Sequence, residues 1–403
     1  MNDTSTSVKK SKSQSKTRVI ASVTVGRSDY GIYRPIYQEI MQTPGLELKV
    51  IVSGAHLSPH YGSTINQIID DQMPIAAKVD MFENQTAPDT PVAITRSISQ
   101  GMASLAEAYD QIKPDILLIL GDRLEMAAAV LAAQPLGIPI AHIHGGEVSL
   151  GAMDDALRHA ITKMSSVHFV SHQDHARRVI QMGEDPSQVI VSGAPGLDNL
   201  HDMKLLSREE IHQHHGLDVA GKYAVVVFHP VTRQPGQQIK QIETVLTAMK
   251  HAALPCVISY PNADAGNHSM IALIEAAAKD DPNWQCYRNM CIESYYSLLS
   301  HATLMVGNSS SGIIEAASLK LPVVNVGDRQ KGRMHGLNVL DTPCETQAIL
   351  QAVVKTLDPE FRAKVAAMKN PYGQGHAAAT IVSHLAKMSL GESLLMKPFH
   401  DLA

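Results

Sequence analysis

Aromatic residues make up only 4% of this chain, and tryptophan occurs once. Any stacking of a base or a sugar ring must therefore rest on few side chains. Charge is also sparse, at 18% of residues, and 34 basic against 39 acidic residues leave a net charge of -5. That balance lacks the basic footprint of a nucleic-acid-binding protein. No apolar run approaches the ~18 residues a membrane helix needs, which excludes a membrane-spanning reading. The four cysteines, Cys256, Cys286, Cys291 and Cys344, all lie in the second half without paired zinc-type spacing. They read as reduced thiols of a cytosolic protein. Residues 1–17 are Ser/Lys-rich with no apolar stretch behind them, so they read as a disordered tail and not a secretory signal. No internal repeat is visible.

What the chain has is apolar material for two cores: 44% hydrophobic residues over 403 positions. Short β-branched runs alternate with helical segments, the pattern of parallel sheets built from βαβ units. Candidate strands in the first half are Arg18–Val25, Leu48–Val52, Ile116–Leu120, Ile138–Ile143, Val167–Val170 and Gln188–Val191. Helical stretches include Glu125–Gln134 and Ala156–Met164, where Leu157, Ala160, Ile161 and Met164 share a face. The polar segment His201–Leu217 reads as a linker with a short helix. A second series follows: Ala224–Phe228, Val257–Tyr260, Trp284–Tyr287, Leu304–Val306 and Val323–Val326. Two doubly wound halves of similar size are expected, with ligand bound outside the carboxyl ends of the strands, in the cleft between them.

The informative residues punctuate strand ends. Val-Gly-Arg-Ser-Asp-Tyr-Gly (25–31) can cradle an anion, or is an ordinary strand-to-helix turn. It is neither a dinucleotide nor a P-loop fingerprint. Leu-Gly-Asp-Arg (120–123) offers Asp122 as a helix N-cap or as a catalytic carboxylate, with Arg123 to balance charge or hold phosphate. In Ala-His-Ile-His-Gly-Gly-Glu (141–147), alternation sends His142 and His144 to one sheet face, and Glu147 follows. A zinc site is the minor reading there, and cleft imidazoles without metal the major one. Met-Asp-Asp-Ala-Leu-Arg-His-Ala (153–160) opens a helix that Asp154 or Asp155 can cap, with Arg158 and His159 on its solvent or cleft face. His229 ends an apolar strand, and Tyr-Pro-Asn-Ala-Asp-Ala-Gly (260–266) ends the next with turn residues. In Val-Gly-Asn-Ser-Ser-Ser-Gly-Ile-Ile-Glu-Ala (306–316), free N–H groups and hydroxyls suit a phosphate, and Glu315 suits a ribose. A serine N-cap with a helix-stabilising glutamate is the alternative. Arg329, Lys331 and Arg333 follow the next strand and could serve a diphosphate.

The segments GRSDYG, LGDRLEMAA, HIHGGE, MDDALRHAITKMS, HPVT, NSSSGIIEA and GDRQKGR resemble the hydrolysing UDP-N-acetylglucosamine 2-epimerases of sialic-acid-type and legionaminic-acid sugar biosynthesis. The resemblance runs from about residue 18 to the C-terminal helix. It implies a glycosyltransferase-B-like fold: two Rossmann-like domains with the active site between them. Residues 18–200 would form the first domain, rejoined by the C-terminal segment 375–403, and 201–374 the second. It further implies that Arg27 and Arg123 contact the nucleotide sugar, Ser309 and Ser310 the diphosphate, and Glu315 the ribose. Arg329 would complete the nucleotide site, with Asn262 near the uracil. Asp122, His144, Asp154 and His229 match functional positions of the cleft. Many relatives have a Glu where this chain has His144, so proton transfer falls to His144 or to Glu147. A homodimer or homotetramer is implied; no cofactor is needed and no metal is obligatory.

The reaction implied is loss of UDP, formation of a 2-acetamidoglucal, and hydration to the C2-inverted sugar. UDP-N-acetylglucosamine and UDP-N,N'-diacetylbacillosamine both belong to the HIHGGE subgroup. A UDP-sugar glycosyltransferase and a non-catalytic nucleotide-sugar sensor are the rival readings.

Overall fold

The computed structural model describes residues 17–402 except 59–63, 83–89, 151–153, 232–233, 235, 262–266 and 289. The tail expected over the first residues and the candidate Asn262 thus fall outside the described residues. Among those described, two fully parallel sheets organise the chain. The first contains β1 (Arg18–Thr24), β2 (Leu46–Ser53), β3 (Ile75–Val79), β4 (Ile116–Leu120), β5 (Ile140–Ile143), β6 (Val167–Val170) and β7 (Val189–Val191). The second contains β8 (Ala224–Val227), β9 (Cys256–Ser259), β10 (Trp284–Tyr287), β11 (Leu304–Gly307), β12 (Val323–Val326) and β13 (Val339–Thr342).

The strand orders are β3-β2-β1-β4-β5-β6-β7 and β10-β9-β8-β11-β12-β13. Apart from β7 the two orders are the same, and both are doubly wound. The order reverses between β1 and β4 in one sheet and between β8 and β11 in the other. Each reversal opens a crevice at the carboxyl ends of the strands. The central strands are apolar throughout because helices cover both faces: all five residues of β4, Ile-Leu-Leu-Ile-Leu, are buried. The expected fold class, two Rossmann-like domains, is borne out. Strands β3 and β13 were not anticipated. Among the described residues, no helix is long and apolar enough to cross a membrane.

The helix Ala377–Lys387 returns to the first sheet, where Ala378, Ile381, Val382 and Leu385 join its core. Asp198 accepts from the N–H groups of Ala377 (3.0 Å) and Ala378 (2.7 Å), capping the helix start. Beyond it, the terminal segment is clasped by buried Glu184. Lys397 Nζ reaches Glu184 Oε2 at 2.6 Å, His168 Nε2 reaches the same oxygen at 2.9 Å, and Lys163 Nζ reaches Oε1 at 2.6 Å. Burial alone would raise this carboxyl, but the His168, Lys163 and Lys397 hydrogen bonds overturn it and hold it at about 2. Its stabilisation is present above the ordinary glutamate value and is lost as pH falls through about 2. Glu184→Gln should cost about 3 kcal/mol, the lower end for a broken buried ion pair, because both lysines reach solvent. Urea unfolding at pH 7 checks the loss, which should shrink as pH falls below 4.5.

Candidate functional site

The site grows from the two topological reversals. After β1, Gly26 leads into the helix Arg27–Gln42. Asp29 Oδ2 ties this turn by accepting from Thr24 Oγ1 and Val25 N, each at 2.8 Å. Arg27, the first helical residue, donates from Nη1 to Met290 O at 2.8 Å, across to the second half of the chain.

After β4, Gly121 turns with φ +73° and Arg123 occupies the N-cap position of the helix Leu124–Ala133. Asp122 is therefore not the cap; its Oδ2 accepts from Arg158 Nη2 instead. Arg123 pairs with Glu125 at 3.2 Å.

After β5 the structure departs from simple alternation. The strand stops at Ile143, and His144 takes a left-handed backbone with φ +66°. His142 and His144 therefore do not share a sheet face. His142 is fully buried, with Nε2 2.7 Å from Gly121 O and Nδ1 3.2 Å from Thr162 Oγ1. A carbonyl only accepts, so Nε2 carries the proton. Burial pushes this imidazole down to about 3. With both nitrogens engaged, His142 has none left for a metal. Gly146 turns with φ +75°, and a Cβ there would sit 2.4 Å from His175 O, so only glycine fits.

His144 Nδ1 lies 2.6 Å from Glu147 Oε1, and Ser171 Oγ donates to the same oxygen at 3.0 Å. Arg333, from the loop after β12, donates to Glu147 Oε2. Burial would raise Glu147, but the Arg333 guanidinium and His144 overturn it and hold it well below the usual range. Glu147 is thus an ionised acceptor, and His144 carries its proton on Nδ1.

The helix Asp154–Met164 supplies the largest difference from expectation. Its buried residues are Arg158, Ile161 and Thr162, whereas Ala160 is exposed. Arg158, expected on the solvent or cleft face, is only 4% exposed. It donates to Asp122, to Glu147 O (2.9 Å), to Ser149 Oγ (2.7 Å) and to Asp155 Oδ1 (3.1 Å). Asp154 opens the helix, and its carboxyl is pushed up to about 6 by burial and by the Asp122 charge. Arg123, Arg158 and, from the second half, Arg329 act in the opposite direction.

The second crevice is built on Asn308. Gly307 has φ +143°, and a Cβ would meet Val227 O at 1.9 Å, so glycine lets β11 abut the end of β8. Asn308 then exchanges two hydrogen bonds with the His229 backbone, at 2.7 and 2.8 Å. Its carbonyl accepts from Arg329 Nη1 and Gln330 Nε2, both at 3.0 Å. His229 is buried, and desolvation followed by the Arg329 charge depresses it well below its ordinary value. Ser309 caps the helix Ser310–Ile313, accepting from Ser311 N at 3.3 Å. The single helix expected here is instead two short ones, the second being Glu315–Ser318. Glu315 is buried; Tyr296 donates to it at 3.4 Å, and burial raises its carboxyl to about 7. Lys331 leaves the cluster, pairing with Asp328 at 3.3 Å while 64% exposed.

Sequence reasoning placed Arg158 on the solvent or cleft face and missed its burial, and it missed Asn308 and the Arg333–Glu147 pair. One signal was present: Arg158 lies three residues before Ile161, on the face that is buried.

Two doubly wound sheets with polar clusters facing each other at their reversals define a glycosyltransferase-B-like protein. The model of the UDP-N-acetylglucosamine 2-epimerase family matches residues 38–386, and the chain belongs to that family. It is 35% identical over 383 residues to UDP-N,N'-diacetylbacillosamine 2-epimerase (hydrolyzing) of Legionella pneumophila, spanning 94% of this chain and 98% of that one. It is 31% identical over 334 residues to UDP-N-acetylglucosamine 2-epimerase of Neisseria meningitidis serogroup B, spanning 83% and 86%. The fold is shared with a UDP-GlcNAc 2-epimerase of Neisseria meningitidis solved with UDP-GlcNAc bound. That match has a TM-score of 0.78 at 21% identity, over 92% of this chain and 100% of the other.

Proposed function

We propose that the protein converts UDP-N-acetylglucosamine and water to UDP and N-acetylmannosamine. The observation that carries this reading is the carboxylate pair of the first crevice, Asp122 and Asp154. Asp154 titrates at about 6 and lies within the fields of Arg123, Arg158 and Arg329. A binding module needs no such tuned carboxyl; an acid–base reaction near neutral pH does. The C2 hydrogen of the sugar is not acidic until the C1–O bond to UDP breaks. As the electron pair of that bond leaves with UDP, a carboxylate takes the C2 proton and the C2–H electrons form a C1=C2 double bond. A second group then delivers a proton to the opposite face of C2, water adds its hydroxyl at C1, and the proton released by water reloads that second group. Asp122 and Asp154 are the acid–base groups of this reading, with His144, Glu147 and His229 positioning or protonating. Ser309, Ser310 and Arg329 hold the diphosphate, Arg27 and Arg123 the nucleotide sugar, and Asn262 the uracil side.

In this reading residues 18–200 with the return segment 375–403 carry the sugar chemistry, and 201–374 bind UDP. The four cysteines are free, as in a reducing cytoplasm. We expect a homodimer or homotetramer; a monomeric mass by light scattering at micromolar protein would overturn that.

Purified protein should release UDP and free manno-configured sugar from the nucleotide sugar and water alone. A requirement for an acceptor would make it a glycosyltransferase. The 35% identity to the Legionella pneumophila enzyme favours a second reading, the same reaction on UDP-N,N'-diacetylbacillosamine. Side-by-side rates separate the two, and no turnover of either removes the function.

Glu315→Ala should weaken UDP binding by about 1–3 kcal/mol, the worth of hydrogen bonds to a charged group. Ribose hydroxyls donate to the ionised form, so UDP affinity should fall as pH drops through about 7. Calorimetry on Glu315→Gln should show a flatter pH dependence. Unchanged affinity in folded Glu315→Ala would contradict the ribose assignment.

A further inference from the structure

We propose that Arg333 is a positioning residue: seated on Glu147 when the two halves meet, it fixes the ring and the proton of His144. This rests on the reading of His144 as a proton-handling group. Arg333 follows β12 in the second sheet, whereas Glu147 and His144 follow β5 in the first. The three form one chain, from Arg333 Nη2 to Glu147 Oε2, then from Glu147 Oε1 to His144 Nδ1 at 2.6 Å. The loops that carry them also meet through their backbones: Leu150 N donates to Lys331 O at 3.0 Å, and Gly332 packs against Val148 and Leu150. The Arg333–Glu147 contact therefore exists only while the two halves are together.

Charge makes the contact consequential. Glu147 is 1% exposed, and a carboxylate so buried requires cationic partners. With Arg333 seated on Oε2, the carboxylate is balanced and its Oε1 is held where it accepts from His144 Nδ1, which fixes the ring. With Arg333 withdrawn, Glu147 keeps His144 and Ser171, both on Oε1, and the imidazole is the one of the two that can take on positive charge to balance the carboxylate. His144 also has a left-handed backbone, a conformation that surrounding contacts must hold. The other titratable groups that face the pair are His142 of β5, Arg158 of Asp154–Met164 and His175 of Gln173–Gln181 from the first half, and Glu315 of Glu315–Ser318 and Tyr372 from the second.

The test compares Arg333→Gln, Glu147→Gln and the double variant with wild type, with folding checked by thermal melting. Arg333→Gln should lower kcat by about 10²-fold, less than the ~10⁴-fold for losing the group that itself orients a catalytic imidazole because Arg333 acts through Glu147, and leave UDP affinity nearly unchanged. The double variant should be no worse than the poorer single, because both act through one ring. The acid limb of kcat should move up in Arg333→Gln, where a cation is lost, and down in Glu147→Gln, where an anion is lost. Arg333→Lys keeps the charge and should restore the limb, which also covers failure of Arg333→Gln to fold. A fall in UDP affinity with kcat intact would make Arg333 a diphosphate ligand and overturn the proposal. So would limbs that do not move. If wild type turns over neither UDP-sugar, the function reading fails by itself. The ring is then read directly by 15N-histidine NMR with UDP bound at pH 7. The protonated share of the His144 ring should rise from wild type to Arg333→Gln, where a neighbouring cation is lost, and identical spectra would overturn the proposal.

Discussion

Asp154→Asn and Asp122→Asn should each lower turnover by about 10²–10⁴-fold, the range for loss of a general acid or base, with UDP binding nearly intact. Asparagine keeps the shape and most of the hydrogen bonding of aspartate but cannot titrate. Asp154 stands at the start of the helix Asp154–Met164, where asparagine serves as well. A purely structural Asp154 would thus leave both stability and rate untouched by the change. The carboxyl sits at about 6 because burial and Asp122 disfavour its charge. It is mostly ionised at neutral pH and ready to take the C2 proton. The kcat/KM profile should accordingly fall below about pH 6, and that limb should be missing in Asp154→Asn. Deuterated water adds a readout free of folding effects. Product formed through a glucal has lost its original C2 hydrogen and must carry deuterium there. Full retention of hydrogen would end the elimination mechanism, whatever the variants do.

The elements legible in the sequence are those where burial on both faces leaves an unbroken apolar run. Strand β4 is the clearest, and its limits, Ile116–Leu120, were read as they stand. The two strands not anticipated, β3 and β13, are sheet edges. In Ile-Ala-Ala-Lys-Val and Val-Leu-Asp-Thr, polar or exposed residues interrupt the run, because only one side needs to be apolar. The candidate residues at strand ends were legible because doubly wound topology sends every such loop to one rim. Side-chain direction was not. Alternation failed at His144 because β5 ends one residue earlier and the chain turns left-handed. The face of the helix Asp154–Met164 was misjudged because its buried stripe includes an arginine. A hydrophobicity pattern cannot show that a charge is buried among its partners. Arg333 is similar: its neighbours in sequence suggested a diphosphate, and only the approach of the two halves shows Glu147 as its partner.

Arg158→Ala should be the most damaging single change in the site, lowering stability by about 3–5 kcal/mol and abolishing turnover. Its guanidinium is 4% exposed and is shared among Asp122, Asp155, Ser149 and the Glu147 carbonyl. Truncation leaves Asp122 and Asp155 facing each other and Asp154 without their shared cation. Three clustered carboxylates cannot all stay charged in a partly buried site, so protonation or local opening must follow. Arg158→Lys separates charge from geometry. Lysine restores one positive charge but has no planar fork to reach four acceptors at once. It should therefore recover much of the stability and little of the turnover, because Asp122 is no longer held in one orientation. Urea unfolding and steady-state rates on the two variants read the two effects independently. Equal recovery of both by lysine would mean that Arg158 supplies only charge, and that the orientation of Asp122 is set elsewhere.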